Sequence, residues 1–247
     1  MRILYYDCFS GISGDMNLGA MIDLGVDKDY LINELSKLNL EDEYKIEVKR
    51  DSRKGIEGTK VDVILKNNHG HHEHIHGDDH QHSHENNHEH VHGHSNDHKH
   101  SQGHDHHHHC HEHNHHVHRN LKDIEDMINS SSLSDNVKKL SLNMFMKVAE
   151  AEAKVHGKPL YQVHFHEVGA VDSIVDIVGA AICLDYLKVD KIMASSVELG
   201  GGFVKCAHGL MPVPAPATVE ILKGIPVKLG IVPFETTTPT GAAILAA

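Results

Sequence analysis

The patterning of this chain predicts an α+β fold: a mixed sheet with packed helices, interrupted by a disordered His-rich insertion. Three observations predict it. Apolar residues recur at spacings of three and four in several stretches, two adjacent stretches alternate apolar with polar, and a histidine tract nearly free of aliphatic residues breaks the chain. The first pattern is helical, the second belongs to half-buried strands, and the third cannot bury enough apolar surface to offset its ordering entropy. With 247 residues, the chain suits one large domain or two small ones. The expected organisation is an N-terminal αβ segment over residues 1–66, the metal-binding insertion over 67–118, and an αβ segment over 119–247 that completes the same globular domain.

The elements follow in order. Residues 1–6 form a short apolar run, and residues 8–15 a turn rich in glycine and serine. Residues 16–24 read as a helix ending at Gly25, and Leu31, Leu35 and Leu38 share one face of a second. Tyr44, Ile46 and Val48 alternate with Lys45, Glu47 and Lys49; Val61, Val63 and Leu65 repeat the pattern beyond a polar turn at Gly55. This predicts two antiparallel strands. Beyond the insertion, Leu121, Ile124 and Ile128 mark a short helix. Ser134 caps a long one that Gly157 and Pro159 end. Residues 164–169 read as a turn, 168–187 as an apolar helix, and 191–197 as a strand. The glycines at 200–202 make a flexible turn, and the alternate prolines from Pro212 to Pro216 argue against helix and central strand. Residues 218–223 form a short helix, and a threonine-rich stretch at 236–240 leads into a last one. That helix stops at Ala247 without a polar tail, which reads as a chain cut short.

Composition excludes several classes. The formal net charge is −12 with every histidine neutral, and no basic patch stands out, so nucleic acid is not an expected partner. Residues 69–118 hold 24 of the 28 histidines, with eight acids and one lysine. At an ordinary histidine pKa, roughly a quarter would be protonated at pH 7, about +6, so the tract's charge depends on pH. No apolar run is long enough to span a membrane, and Asp7, Ser10 and Asp15 interrupt any signal-peptide core. A cytoplasmic protein with no membrane partner is expected. Cys8, Cys110, Cys183 and Cys206 form no CxxC pair, which suits reduced thiols.

Neutral imidazole is the commonest protein metal ligand and suits nickel, zinc, copper and iron. The tract offers HxH and HxxH spacings, with His106, His107, His108, His109, Cys110 and His111 as its densest group. It points to capture of a transition metal. A sharper candidate metal site lies at His164, His166, Glu167, Asp172 and Asp176. The two histidines flank Phe165 and share one side of an extended segment. Asp172 and Asp176 share one face of an otherwise apolar helix, where a carboxylate is costly unless paired or metal-bound. The plainer alternative is that Asp172 caps or pairs and the histidines are structural.

Asp7, Ser10, Gly11, Ser13, Gly14 and Asp15 form a second cluster. The glycines allow backbone N–H groups to turn toward an anion, but no Lys-Ser/Thr follows as in a P-loop, and Asp7 opposes phosphate unless a cation intervenes. A metal-bridged phosphate is the functional reading, and a tight strand-to-helix turn the plain one. Lys205 and His208 follow the glycine run as a weak anion or metal signal. Thr238 and Thr240, ahead of a helix start, suit an anion. Asp7, Asp15, Asp172 and Lys205 are the candidate catalytic groups; Ser10, Gly11, Ser13, Gly14, Thr238 and Thr240 are the candidate cofactor-binding ones.

The strings DCFSGISGDM, VHFHEVGAVDSIVDIVGA, CAHGLMPVPAPAT and TPTGAAIL, with a His-rich insertion between the first two, resemble the LarC-type nickel insertion protein family over essentially the whole chain. The resemblance implies a nickel chelatase or cyclometallase of the lyase class. Its substrate would be pyridinium-3,5-bisthiocarboxylic acid mononucleotide, and its product the nickel-pincer nucleotide cofactor of lactate racemase-type enzymes. On this resemblance nickel would enter between two sulfurs and a ring carbon, coupled to CTP hydrolysis with Mn2+ or Mg2+. Family members continue past TPTGAAIL into a CTP-associated domain, so the resemblance implies a partner: that C-terminal domain, separately encoded or lost to a frameshift. The tract would then capture Ni2+. Other readings are a non-catalytic nickel store or metallochaperone, a metal-dependent phosphohydrolase using Asp7, Asp15, Asp172 and Asp176, or an inactive product lacking its partner domain.

Overall fold

The computed structural model describes residues 1–66, 119–163, 165, 168–206 and 209–247. The fold is α+β, as the sequence predicts. Its centre is a helix that is apolar nearly all round, α5 (Val171–Leu187), and such a helix must be buried. Around it pack α1 (Gly14–Asp23), α2 (Lys28–Ser36), α4 (Asp135–His156) and α7 (Pro239–Ala246), with α3 (Leu121–Ser130) and α6 (Pro216–Ile221) lying on α4. Leu18, Leu31, Leu35, Phe145, Val148 and Ile177 fill the space between them. Gly179 admits α1: a Cβ there would sit 2.9 Å from a Leu18 methyl.

Sequence chemistry sets the helix ends. Ser134 Oγ accepts the Val137 N–H at 3.3 Å to start α4, and Gly157, at φ +60°, ends it in the left-handed conformation. Asn120 and Asp123 close a reciprocal capping box on α3. Pro216 is the first residue of α6, where its missing N–H costs nothing; the proline run therefore contains a helix start, contrary to the sequence expectation.

Among the described residues the strands form four two-stranded sheets, parallel and antiparallel both. β1 (Ile3–Tyr6) runs parallel to β4 (Lys191–Ala194). β2 (Tyr44–Arg53) and β3 (Ile56–Leu65) form the expected antiparallel hairpin, in register from Tyr44↔Leu65 to Arg53↔Ile56. Lys54 and Gly55, both at positive φ, supply the tight turn such a hairpin favours. β5 (Val197–Glu198) pairs in parallel with β8 (Val227–Lys228). β6 (Phe203–Cys206) pairs with β7 (Gly209–Pro212), a hairpin not expected from the sequence; Pro212 occupies the end of a strand, a position it tolerates.

The N-terminal and C-terminal stretches interlock. β1 pairs with β4, and β3 touches α5. Glu43 binds the described residues on both sides of the stretch 67–118: its carbonyl accepts the Lys66 N–H at 2.9 Å, and its carboxylate accepts from the Arg119 guanidinium. Among the described residues no helix is long and apolar enough to cross a membrane.

Candidate functional site

Three helix starts meet at one cavity of about 670 Å3. α1 contributes Ser13, Gly14 and Asp15; α5 contributes Asp172 and Asp176; α7 contributes Thr238 and Thr240. Asp15 and Asp172 lie in first turns, where the positive end of the helix dipole favours a carboxylate. Thr238 Oγ1 accepts the Gly241 N–H at 3.1 Å, so part of its capacity is spent on capping α7.

Asp176 is the most perturbed of these groups. Its Oδ1 is sealed from solvent and has no hydrogen-bond partner among the described residues. Burial, then the charges of Asp15 and Asp172, push its pKa up to about 8. Gly14 makes the arrangement possible: a Cβ there would lie 2.2 Å from Asp176 Oδ2. The glycine is required by this contact, not by backbone freedom. Gly11, at φ +82°, has a different role. Its N–H donates to the Cys8 carbonyl at 3.0 Å, and a Cβ would meet the Thr236 carbonyl at 2.0 Å. The Ile12 N–H donates to Thr237 Oγ1 at 3.3 Å. The Gly11 amide closes the loop on itself, and the Ile12 amide ties it to the threonine segment.

The β2–β3 hairpin brings polar groups that sequence reasoning missed: Glu47, Lys49 and Asp62 line the same cavity. Lys49 reaches Asp62 at 3.1 Å and Lys60 reaches it at 2.8 Å. Burial works to raise the Asp62 carboxyl, but hydrogen bonds from Lys60 and Lys49 leave it below its ordinary value. The Lys45 hydrogen bond likewise lowers Glu47. Alternation along the strand identified this polar face but not the cavity it would meet. Ser173 and Glu235 also line the cavity and were missed.

Glu198 is a further buried acid with no sequence signal, 1% exposed. Its Oε1 accepts N–H groups of Gly200 at 3.1 Å and Ile231 at 3.2 Å. Its carbonyl accepts the hydroxyls of Thr236 at 2.8 Å and Thr237 at 2.7 Å. These bonds position the segment that delivers Thr238 to the cavity.

Other candidates lie apart. Asp7 and Gly11 border a second cavity of about 580 Å3, and exposed Ser10 lies in a groove with Arg53 and Ile56. Lys205 borders a cavity of about 420 Å3 that shares Val168, Glu235 and Pro239 with the acidic one. His164, His166, Glu167, His208 and the tract residues His106, His107, His108, His109, Cys110 and His111 lie outside the described residues. Among the described residues, no three His, Cys, Asp or Glu side chains converge closely enough to hold a metal ion.

A family profile described as nickel insertion protein matches residues 4–247. The chain is 68% identical over 247 residues to the pyridinium-3,5-bisthiocarboxylic acid mononucleotide nickel insertion protein of Clostridium acetobutylicum, covering 100% of this chain and 56% of that protein. It is 61% identical to the protein of the same name from Clostridium kluyveri, covering 100% of this chain and 53% of that one. A third, from Geobacillus kaustophilus, is 47% identical, with coverage of 99% and 50%. The chain thus spans about half the length of the curated relatives it matches. No solved structure matches it.

Proposed function

The chain belongs to the nickel insertion protein family, and from that premise we propose that it handles nickel and substrate in inserting Ni2+ into pyridinium-3,5-bisthiocarboxylic acid mononucleotide. The observation that carries this reading is the acidic cavity. Asp15, Asp172 and Asp176 face one space, and Asp176 is held protonated by burial and by its two neighbours. A divalent cation there would relieve that repulsion and allow Asp176 to ionise. Nickel is a substrate in this scheme. Carboxylate oxygens receive it, and His164, His166 and Glu167, which precede α5 in sequence, supply the imidazole and further carboxylate that suit it. His208 joins the same donor set.

The chemistry needs proton removal. Forming a bond from nickel to a ring carbon releases the proton that carbon carried. Ionised Asp176 is the acceptor we assign, with Asp15 and Asp172 holding the cation. The His tract over 67–118 captures nickel and raises its local supply. Lactate racemase-type enzymes are the proposed recipients of the product.

The described residues do not form a cradle for a nucleoside triphosphate. The Gly11 and Ile12 amides are engaged within the fold, and carboxylates dominate the adjoining cavity. No step here is routed through CTP. CTP with Mn2+ or Mg2+ is assigned instead to the further half present in the relatives. A phosphohydrolase built on Asp7 with the other three aspartates is disfavoured, because Asp7 opens on a separate cavity.

The test is a cofactor-forming assay with this chain, Ni2+, the bisthiocarboxylated mononucleotide, CTP and Mn2+ or Mg2+. It is run with and without the C-terminal part of the Clostridium acetobutylicum relative. Product only when that part is added is the expected result. Product without it would place the nucleotide chemistry in this chain. Tight nickel binding with no product in either arm would overturn insertion in favour of storage.

A further inference from the structure

The cavity bordered by Lys205 is absorbed by none of the roles above, although it adjoins the acidic one. Its volume of about 420 Å3 falls in the range of small-molecule sites, about 300–1,000 Å3. One wall is the β6–β7 hairpin, where Val204 and Met211 are register partners. Ala217 of α6 adds to it, and Val168 and Pro239 complete an apolar surface. The polar groups are sorted by position. Glu152 and His156 of α4 pair at 3.1 Å along the cavity, and Glu235 stands where the two cavities meet. Exposed Lys205 lies at the rim.

We infer that this cavity takes the planar aromatic ring of the organic substrate, with Lys205 meeting an anionic substituent of that ring. The inference rests on the nickel-insertion reading and assigns a subsite within it. Apolar walls with a methionine suit a flat ring, since a thioether packs favourably against aromatic edges. Carboxylates beside an apolar cavity complement a positive charge spread over a ring, and a lysine at the mouth complements acidic groups on its edge. A ring-cationic, edge-anionic heterocycle matches both at once. Because Val168, Glu235 and Pro239 line both cavities, a ring lodged here lies beside the space that attracts the cation. The two cavities divide the reactants: metal in the acidic one, ring in the apolar one.

Calorimetric titration of the full chain tests the division. The probes are N-methylpyridinium-3,5-dicarboxylate for the ring, the whole bisthiocarboxylated mononucleotide, and Ni2+ alone. Val204→Trp fills the cavity and is expected to weaken ring binding by more than about tenfold, roughly the 1.4 kcal/mol equivalent of displaced apolar contact. Lys205→Glu, at an exposed position that leaves folding intact, is expected to weaken it by about tenfold. Neither changes Ni2+ binding. Asp172→Asn shows the reverse pattern, weakening Ni2+ while leaving the ring probe unaffected. Ring and mononucleotide affinities that survive both Val204→Trp and Lys205→Glu would overturn the subsite and leave the insertion reading standing. A wild-type chain that binds Ni2+ but not the mononucleotide would overturn the insertion reading itself.

Discussion

Asp176 carries a pH signature that can be read without any substrate. Its folded pKa is raised to about 8 from an ordinary 3.8, so between those limits the folded chain holds a proton the unfolded chain has lost. Stability therefore falls as pH rises from about 4 to about 8, and levels off above. Asp176→Asn removes the titration. Urea melts in the presence of a chelator should show wild type and variant closest at pH 4. At pH 8 the variant should be the more stable, by roughly 1–3 kcal/mol. Parallel profiles across that window would count against the burial argument. That Asp172 and Asp176 share one helical face was legible in the sequence, because carboxylates four apart in an apolar helix stand out; His164, His166 and Glu167 of the same candidate set lie outside the described residues. What was not legible is Gly14: nothing local shows that its missing Cβ makes room for a carboxylate from another helix. Glu198 escaped for a similar reason. It lies in a two-residue strand, too short for any periodicity, and its burial comes from distant chain segments.

At the scale of elements, the helices were readable where caps and apolar spacing agreed. α3 is an example, and its cap gives a direct test. Asn120→Ala removes the side chain that accepts the Asp123 N–H at 3.0 Å and breaks the reciprocal box. A loss of about 1 kcal/mol in urea unfolding is expected, with no change in Ni2+ affinity. The β2–β3 hairpin was readable from its alternation, but its strands run on to meet at Lys54 and Gly55, beyond the apolar pattern. There the pairing is carried by backbone hydrogen bonds and turn geometry more than by buried side chains. The β6–β7 hairpin was missed because Pro212 and the glycine run argued locally against strand. Pairing at the edge of the fold overrode that preference.

For the whole molecule, the stretches on either side of the His tract are mutually dependent: β1 needs β4, and α5 is flanked by α1 and α2 from one side of the tract and α4 and α7 from the other. Removing residues 69–118 and joining the flanks is expected to leave the thermal melt cooperative and within a few degrees of wild type, on the order of 1 kcal/mol. Nickel bound per chain should drop, while insertion at saturating nickel is spared. Loss of insertion at high nickel would assign the tract a part in the reaction itself. The tract's place in the chain was obvious from composition; that its two flanking residues, Lys66 and Arg119, are both held by Glu43 was not, since the carbonyl and carboxylate of Glu43 carry no sequence signal for it.

That shared anchor has a further consequence. Every described residue that lines either cavity lies outside 67–118, so the ends of the tract are fixed at Glu43 and the cavity walls are encoded elsewhere. On the proposed reading, the number of histidines between Lys66 and Arg119 tunes how much nickel is gathered, and the residues proposed to use the metal are inherited separately.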